Sequence, residues 1–270
     1  MATVAVEQGV SLYYEDYGSG RPIVFIHGGG MSHEMWEQQV YALTDEFRTV
    51  AYDQRAHGQS DKPGHGHHFE RLADDLEVLL DHCGISDFHL VCHGIGAYVG
   101  LTFSLRHPDR VRGLALLGSG SRFLGREGER GGFDKERWQA YAQGMARNKI
   151  EATARLVNDK GFYYRDPGAA TRQAVIDTML QWPLYATKML SQAMQDTDLG
   201  SRIDRLRVPV LVLHGVHDLK QPFSGAQQLA DALPDARLVA FDESAHNPQL
   251  EELEKFNQVL RQFIHETSAD

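Results

Sequence analysis

Short runs rich in β-branched and large apolar residues recur along this chain, separated by longer amphipathic stretches, and that alternation constrains the fold more than any other feature. Helices between successive strands favour a mainly parallel sheet covered on both faces. The runs predict eight strands, at Thr3–Val6, Ser11–Asp16, Ile23–His27, Thr49–Asp53, Phe88–Cys92, Gly113–Leu117, Val210–His214 and Leu238–Phe241. The central ones are near-continuous in Val, Ile, Leu and Phe, as strands buried on both faces should be. The expected class is α/β, with an eight-stranded, mostly parallel sheet.

Between about Ser119 and Leu206 the pattern changes. Strand signals stop, and helical periodicity runs through Asp134–Asn148, Ile150–Asn158, Ala169–Trp182 and Leu184–Gln195. After Pro209 the strand pattern resumes, so the helical segment reads as an insertion. The expected division is a core of residues 1–118 and 207–270 with a helical cap at 119–206, entered through the Gly-rich, charged stretch Gly125–Gly132. No internal repeat is present.

At 270 residues and 42% hydrophobic, the chain can bury the core of one large α/β domain with an inserted cap. Its net charge of −10, with scattered basic residues, would repel a phosphate backbone, which argues against a nucleic-acid partner. No apolar stretch is long enough to span a membrane and no signal-peptide pattern precedes Gly9, so a soluble, cytoplasmic protein with no membrane partner is expected. Self-association is left open. Cys83 and Cys92 form no disulfide framework and read as reduced thiols. His65, His67 and His68 lack supporting Cys, Asp or Glu spacing and read as a solvated loop; no metal and no cofactor is expected.

The run Leu90-Val-Cys-His-Gly-Ile-Gly-Ala97 passes from an apolar strand through small residues into a helix, the layout of a nucleophile elbow, G-x-S-x-G. Here it reads C-H-G-I-G, so Gly94 stands where a catalytic serine is expected. Cys92, two residues earlier, occupies a position where strand-to-helix packing wants little bulk, and it reads as buried and inert rather than as a substitute nucleophile.

With this run and three others, the chain resembles the α/β-hydrolase superfamily, in its esterase, lactonase and haloperoxidase-like branch, over nearly all of its length outside the cap. His27-Gly-Gly-Gly30 is similar to the HGGG-type oxyanion loop. Asp53-Gln-Arg-Ala-His-Gly-Gln-Ser60 resembles a D-x-R-G-H-G-x-S segment, with Ala56 as a departure. Leu211–Asp218 looks like the acid loop, and Ala245-His246-Asn247-Pro248 like the loop bearing the histidine. The resemblance implies nucleophile position, acid and base in the order Gly94, Asp218, His246, with backbone N–H groups of Ile95 and Gly29 as the oxyanion hole. It implies hydrolysis of a carboxylic ester or lactone. Asp242 and Glu243 are nearby alternatives for the acid, but they lie close to His246 in sequence for reaching its far ring nitrogen.

A glycine at the apex keeps the turn, because glycine adopts positive φ freely, and deletes the hydroxyl. Three readings stay open: an engineered Ser-to-Gly knockout of a serine hydrolase, a natural serine-less enzyme in which His246 and Asp218 activate water or abstract a substrate proton, and a non-catalytic protein that binds a small molecule. For the pocket, Trp36, Phe123 and Trp182 are the aromatic residues expected to meet substrate. Most other cap aromatics read as packing. An aromatic-lined pocket beneath a cap suggests a small or medium uncharged substrate, and Arg122 reads as a surface residue.

Overall fold

The structure, a computed structural model, describes residues 2–120, 135–197 and 199–268. Arg122, Phe123 and the Gly125–Gly132 stretch therefore lie outside the described residues. The strands are β1 (Ala2–Glu7), β2 (Val10–Tyr17), β3 (Pro22–Ile26), β4 (Arg48–Tyr52), β5 (Phe88–His93), β6 (Val111–Leu117), β7 (Val210–Gly215) and β8 (Ala236–Phe241). The helices are α1 (Glu37–Leu43), α2 (Phe69–His82), α3 (Ile95–Arg106), α4 (Lys135–Arg147), α5 (Lys149–Asn158), α6 (Ala169–Gln181), α7 (Leu184–Asp196), α8 (Phe223–Ala232), α9 (Pro248–Glu251) and α10 (Leu253–Glu266).

All eight strands form one sheet in the order β1-β2-β4-β3-β5-β6-β7-β8. The pairs β1–β2 and β2–β4 are antiparallel. From β4 to β8 every pairing is parallel. The parallel strands therefore share one carboxyl edge, where open α/β sheets bind their ligands. Strands β5 and β7 are buried at every position, which accounts for their mostly apolar sequences, interrupted only by His89, His93 and His214.

Helix α2 shows how the flanking layers are encoded. Its buried residues Phe69, Leu72, Ala73, Leu76, Leu79 and Leu80 recur at helical spacing, and His68 accepts the Arg71 N–H at its start. Helix α3 is buried almost all round. Its approach to the sheet is set by Gly96, where a Cβ would lie 2.6 Å from the His27 carbonyl oxygen and 2.8 Å from that of Ile26. Between β6 and β7 the described chain holds the four helices α4 to α7. No helix among the described residues is long and apolar enough to cross a membrane.

One element differs from its expectation. The C-terminal segment reads as a single helix over Gln249–Ile264, but it is broken at Glu252, with φ −127° and ψ 56°. The Glu252 carboxylate turns back to accept the Glu243 N–H at 3.0 Å and the Ser244 hydroxyl at 2.6 Å, and those bonds compensate for the lost helical conformation.

Candidate active site

The site forms at the carboxyl edge of β3, β5, β6, β7 and β8. Gly94 is the apex between β5 and α3, with φ 52° and ψ −113°, and its N–H bonds the Leu117 carbonyl at 2.9 Å. That φ lies in the left-handed region that favours glycine. Ile95 begins the helix, so its N–H is one of the donors that a helix leaves without an internal partner.

His246 follows β8. Its Nδ1 lies 2.7 Å from Oδ2 of Asp218, in the loop after β7. The other Asp218 oxygen accepts the N–H groups of Lys220 at 2.7 Å and Gln221 at 3.0 Å. Burial alone would push the Asp218 carboxyl up, but the adjacent imidazole of His246 and the hydrogen bonds it accepts hold it below the usual carboxylate range. With Nδ1 engaged, Nε2 of His246 faces the apex: a Cβ on Gly94 would lie 3.7 Å from it and 3.9 Å from Cα of Gly28. Of the nearby alternatives for the acid, Glu243 pairs with Arg165, and the carboxylate that meets Nδ1 of His246 is that of Asp218.

The loop after β3 is fixed by His27. Its Nδ1–H donates to the Gly28 carbonyl at 2.7 Å and its Nε2 accepts the Gln54 N–H at 2.9 Å, a neutral tautomer consistent with burial pushing its pKa down. In the Asp53–Ser60 segment, Asp53 accepts the backbone N–H groups of His33 and Gln59, each at 2.7 Å, and Arg55 forms a buried bidentate pair with Asp75. Ala56 takes φ 66°, alone among the described non-glycine residues in having positive φ.

A cavity of about 100 Å³ opens over these groups. Gly28, Gly29, Gly94, Ile95 and His246 form its floor, and Trp138, Tyr141, Phe162, Met179 and Trp182 cover it from the α4–α7 region. Trp182 stacks on His57, with ring centroids 4.8 Å apart. Trp36 is not among the lining residues. It is fully buried, packed on Phe25 and Phe256, because the short 3₁₀ turn His33–Trp36 directs it into the core beneath the sheet rather than toward the cavity. Cys92 is likewise buried, against Gly100, and burial pushes its thiol pKa well up.

Several residues that sequence reasoning passed over shape the site. His93, the residue before the apex, donates from Nε2 to the His246 carbonyl at 2.9 Å; burial and the neighbouring His246 push its pKa down to about 3. Its adjacency to Gly94 was the available signal. Glu251 accepts the N–H groups of Tyr164 at 2.6 Å, Arg165 at 2.8 Å and Ala245 at 2.8 Å, tying the histidine loop to the segment before α6. Nothing in the sequence marks it. The three clustered histidines have separate structural partners: His65 pairs with Glu7, His67 bonds the Pro63 carbonyl and His68 caps α2. His67 is buried, at 4% exposure, rather than solvated.

These features are those of a known enzyme class. A family model described as alpha/beta hydrolase fold matches residues 21–253, and the chain belongs to that family. Among its relatives, the AB hydrolase superfamily protein YisY of Bacillus subtilis (strain 168) is 30% identical over 263 residues, covering 96% of this chain and 97% of its own. The solved structure of an esterase (EaEST) from Exiguobacterium antarcticum is similar with a TM-score of 0.92 at 26% identity, covering 97% of this chain and 98% of its own. That of the enol-lactonase from Burkholderia xenovorans has a TM-score of 0.86 at 26% identity, covering 97% and 99%.

Proposed function

We propose that the protein hydrolyses a small or medium apolar carboxylic ester or lactone, with Gly94 at the nucleophile position and with His246 and Asp218 activating water in place of a serine. The observation that carries this reading is the relation of His246 to Gly94. With a Cβ at Gly94 lying 3.7 Å from Nε2, a hydroxyl one bond further can reach hydrogen-bonding distance of that nitrogen, and an oxygen of water held there would meet the same base.

In the proposed reaction Nε2 of His246 takes a proton from water while the water oxygen bonds to the acyl carbon. Asp218 holds Nδ1–H and stabilises the imidazolium. The carbonyl oxygen gains charge and is met by the N–H groups of Ile95 and Gly29. On collapse the C–O bond to the alcohol breaks and His246 returns its proton to that oxygen, giving acid and alcohol with no acyl-enzyme. The helices α4 to α7 act as the cap, and Trp182 serves as a wall of the acyl pocket. The cavity of about 100 Å³ supports a small acyl group.

The test compares ester hydrolysis by this protein and by His246→Ala. Loss of the general base should lower the rate by about 10² to 10⁴. Equal rates in the two proteins would end the hydrolytic reading and leave a small-molecule binder.

A further inference from the structure

Helix α3 brings two residues to the cavity over His246. Ile95 opens the helix, and Tyr98, three residues on, shares its helical face; both line the cavity. Tyr98 stands about 4.5 Å further along the helix axis, and long side chains on a helix lean back toward its N-terminus. The apex at Gly94 is that N-terminus, so the tyrosine leans toward the reacting end of the cavity. Its ring is held by Phe69, stacked with centroids 5.4 Å apart.

The hydroxyl is what packing does not explain. Tyr98 is 2% exposed, and its Oη has no hydrogen-bond partner among the described residues. A phenylalanine would fill the same space with no polar atom to satisfy, and a buried hydroxyl left unpaired is costly. One turn further along α3 the chain avoids that cost: the buried Thr102 hydroxyl donates to the Tyr98 carbonyl at 2.7 Å. Burial pushes the Tyr98 pKa far up, so the hydroxyl keeps its proton and is a donor.

Two other atoms of lining residues are buried without a partner, Nδ1 of His93 and Nε1 of Trp182. Gly28 stands against the first, so closely that a Cβ there would lie 2.4 Å from it. The second belongs to a ring that turns its carbocyclic edge, Cη2 and Cε3, to Gly29 and Gly30 of the floor. Among these atoms the Tyr98 hydroxyl is the donor carried by the same helix face as the oxyanion donor Ile95.

We propose that Tyr98 is a specificity-determining residue, whose hydroxyl donates to an uncharged oxygen of the substrate outside the bond that is cleaved. This rests on the ester or lactone reading above and narrows the substrate class to esters and lactones bearing a second carbonyl or ether oxygen. The rest of the lining is almost wholly apolar, so a substrate oxygen placed elsewhere in the cavity loses its hydration without replacement.

Methyl butyl ketone and acetonylacetone share a six-carbon chain and differ by one carbonyl oxygen, and each is titrated calorimetrically into the protein. The diketone should bind the more tightly. In Tyr98→Phe its binding should weaken by about fivefold or more, while that of the monoketone changes by less than about twofold. Weaker or absent binding of the diketone by the starting protein would overturn the proposal. So would diketone binding unchanged in Tyr98→Phe, which would assign the oxygen to Trp182 or to solvent, and so would equal weakening of both ligands, which would reduce Tyr98 to a packing residue. If Tyr98→Phe fails to fold, a crystal structure of the protein with acetonylacetone decides: one carbonyl oxygen should lie within about 3.2 Å of Oη, and a ligand with both oxygens elsewhere would overturn the proposal. Neither ligand contains a bond to cleave, so these results stand apart from the hydrolytic reading, which equal ester turnover by this protein and His246→Ala would contradict on its own.

Discussion

The imidazole of His246 packs directly on Gly118 at the end of β6: a Cβ there would lie 3.0 Å from its Cε1 and 3.1 Å from its Nδ1. Gly118 also has φ 57°, so a side chain at this position is strained as well as crowded. Gly118→Ala should push the ring away from Asp218 and Gly94. A displacement of about 1 Å at a reacting group can cost about 10²-fold in rate. The expected outcome is a loss of hydrolysis of that order with a native circular dichroism spectrum. An unchanged rate would mean that the position of the ring does not matter to the reaction.

Stability should fall with acid well before the carboxylates titrate. Burial pushes His93 down to about 3 and His89 down to about 4, and it lowers His27, His57 and His214 as well. Each stays neutral in the fold while the unfolded chain takes up its proton near pH 6.5. Their contribution is therefore complete above about pH 6.5 and is lost as pH falls from there toward the folded values. His33, which is raised with Asp53 as its partner, acts in the opposite sense and offsets part of the loss. Calorimetric melting between pH 7.5 and 5 should show a steadily falling transition temperature. A constant or rising one would contradict the neutral state of these rings.

The two tryptophans expected to meet substrate should separate cleanly. Trp36→Ala empties a core position against Phe25 and Phe256 and should cost about 3–5 kcal/mol in denaturant unfolding, with KM little changed in the folded fraction. Trp182→Ala widens the cavity beside Gly29 and Gly30 and should raise KM for small esters by about tenfold or more. A KM effect from Trp36 and none from Trp182 would reverse their assignment.

The contrast between these two residues shows what could be read in the sequence. The strands were legible to within two residues at either end; the central ones, such as Phe88–His93 and Val210–Gly215, are mostly apolar runs buried on both faces, which leave a clear pattern. Gly94, Asp218 and His246 were picked out by segments that resemble the hydrolase family, and the structure places all three after strand ends, with Asp218 against Nδ1 of His246. Trp36 was misplaced because nearness to the Gly28–Gly30 loop in sequence says nothing about the direction of a side chain after a 3₁₀ turn. Glu252 was read as helix because nothing local marks the break, and its carboxylate bond to Ser244 is not visible in the sequence. The meeting of Lys220 and Arg137 at Asp159 was hidden for a similar reason, because the residues come from distant parts of the chain.

The most direct test of the account is the Gly94→Ser variant. The room at Gly94, the orientation of Nε2 and the Asp218 partner together should turn the introduced hydroxyl into an acylating nucleophile. Treated with a fluorophosphonate probe, the variant should gain the mass of the phosphonyl group on the peptide containing residue 94, while the Gly94 protein should not. A folded Gly94→Ser variant that admits the probe to the cavity and remains unlabelled would contradict the assignment of His246 and Asp218 as base and acid, and with it the hydrolase mechanism.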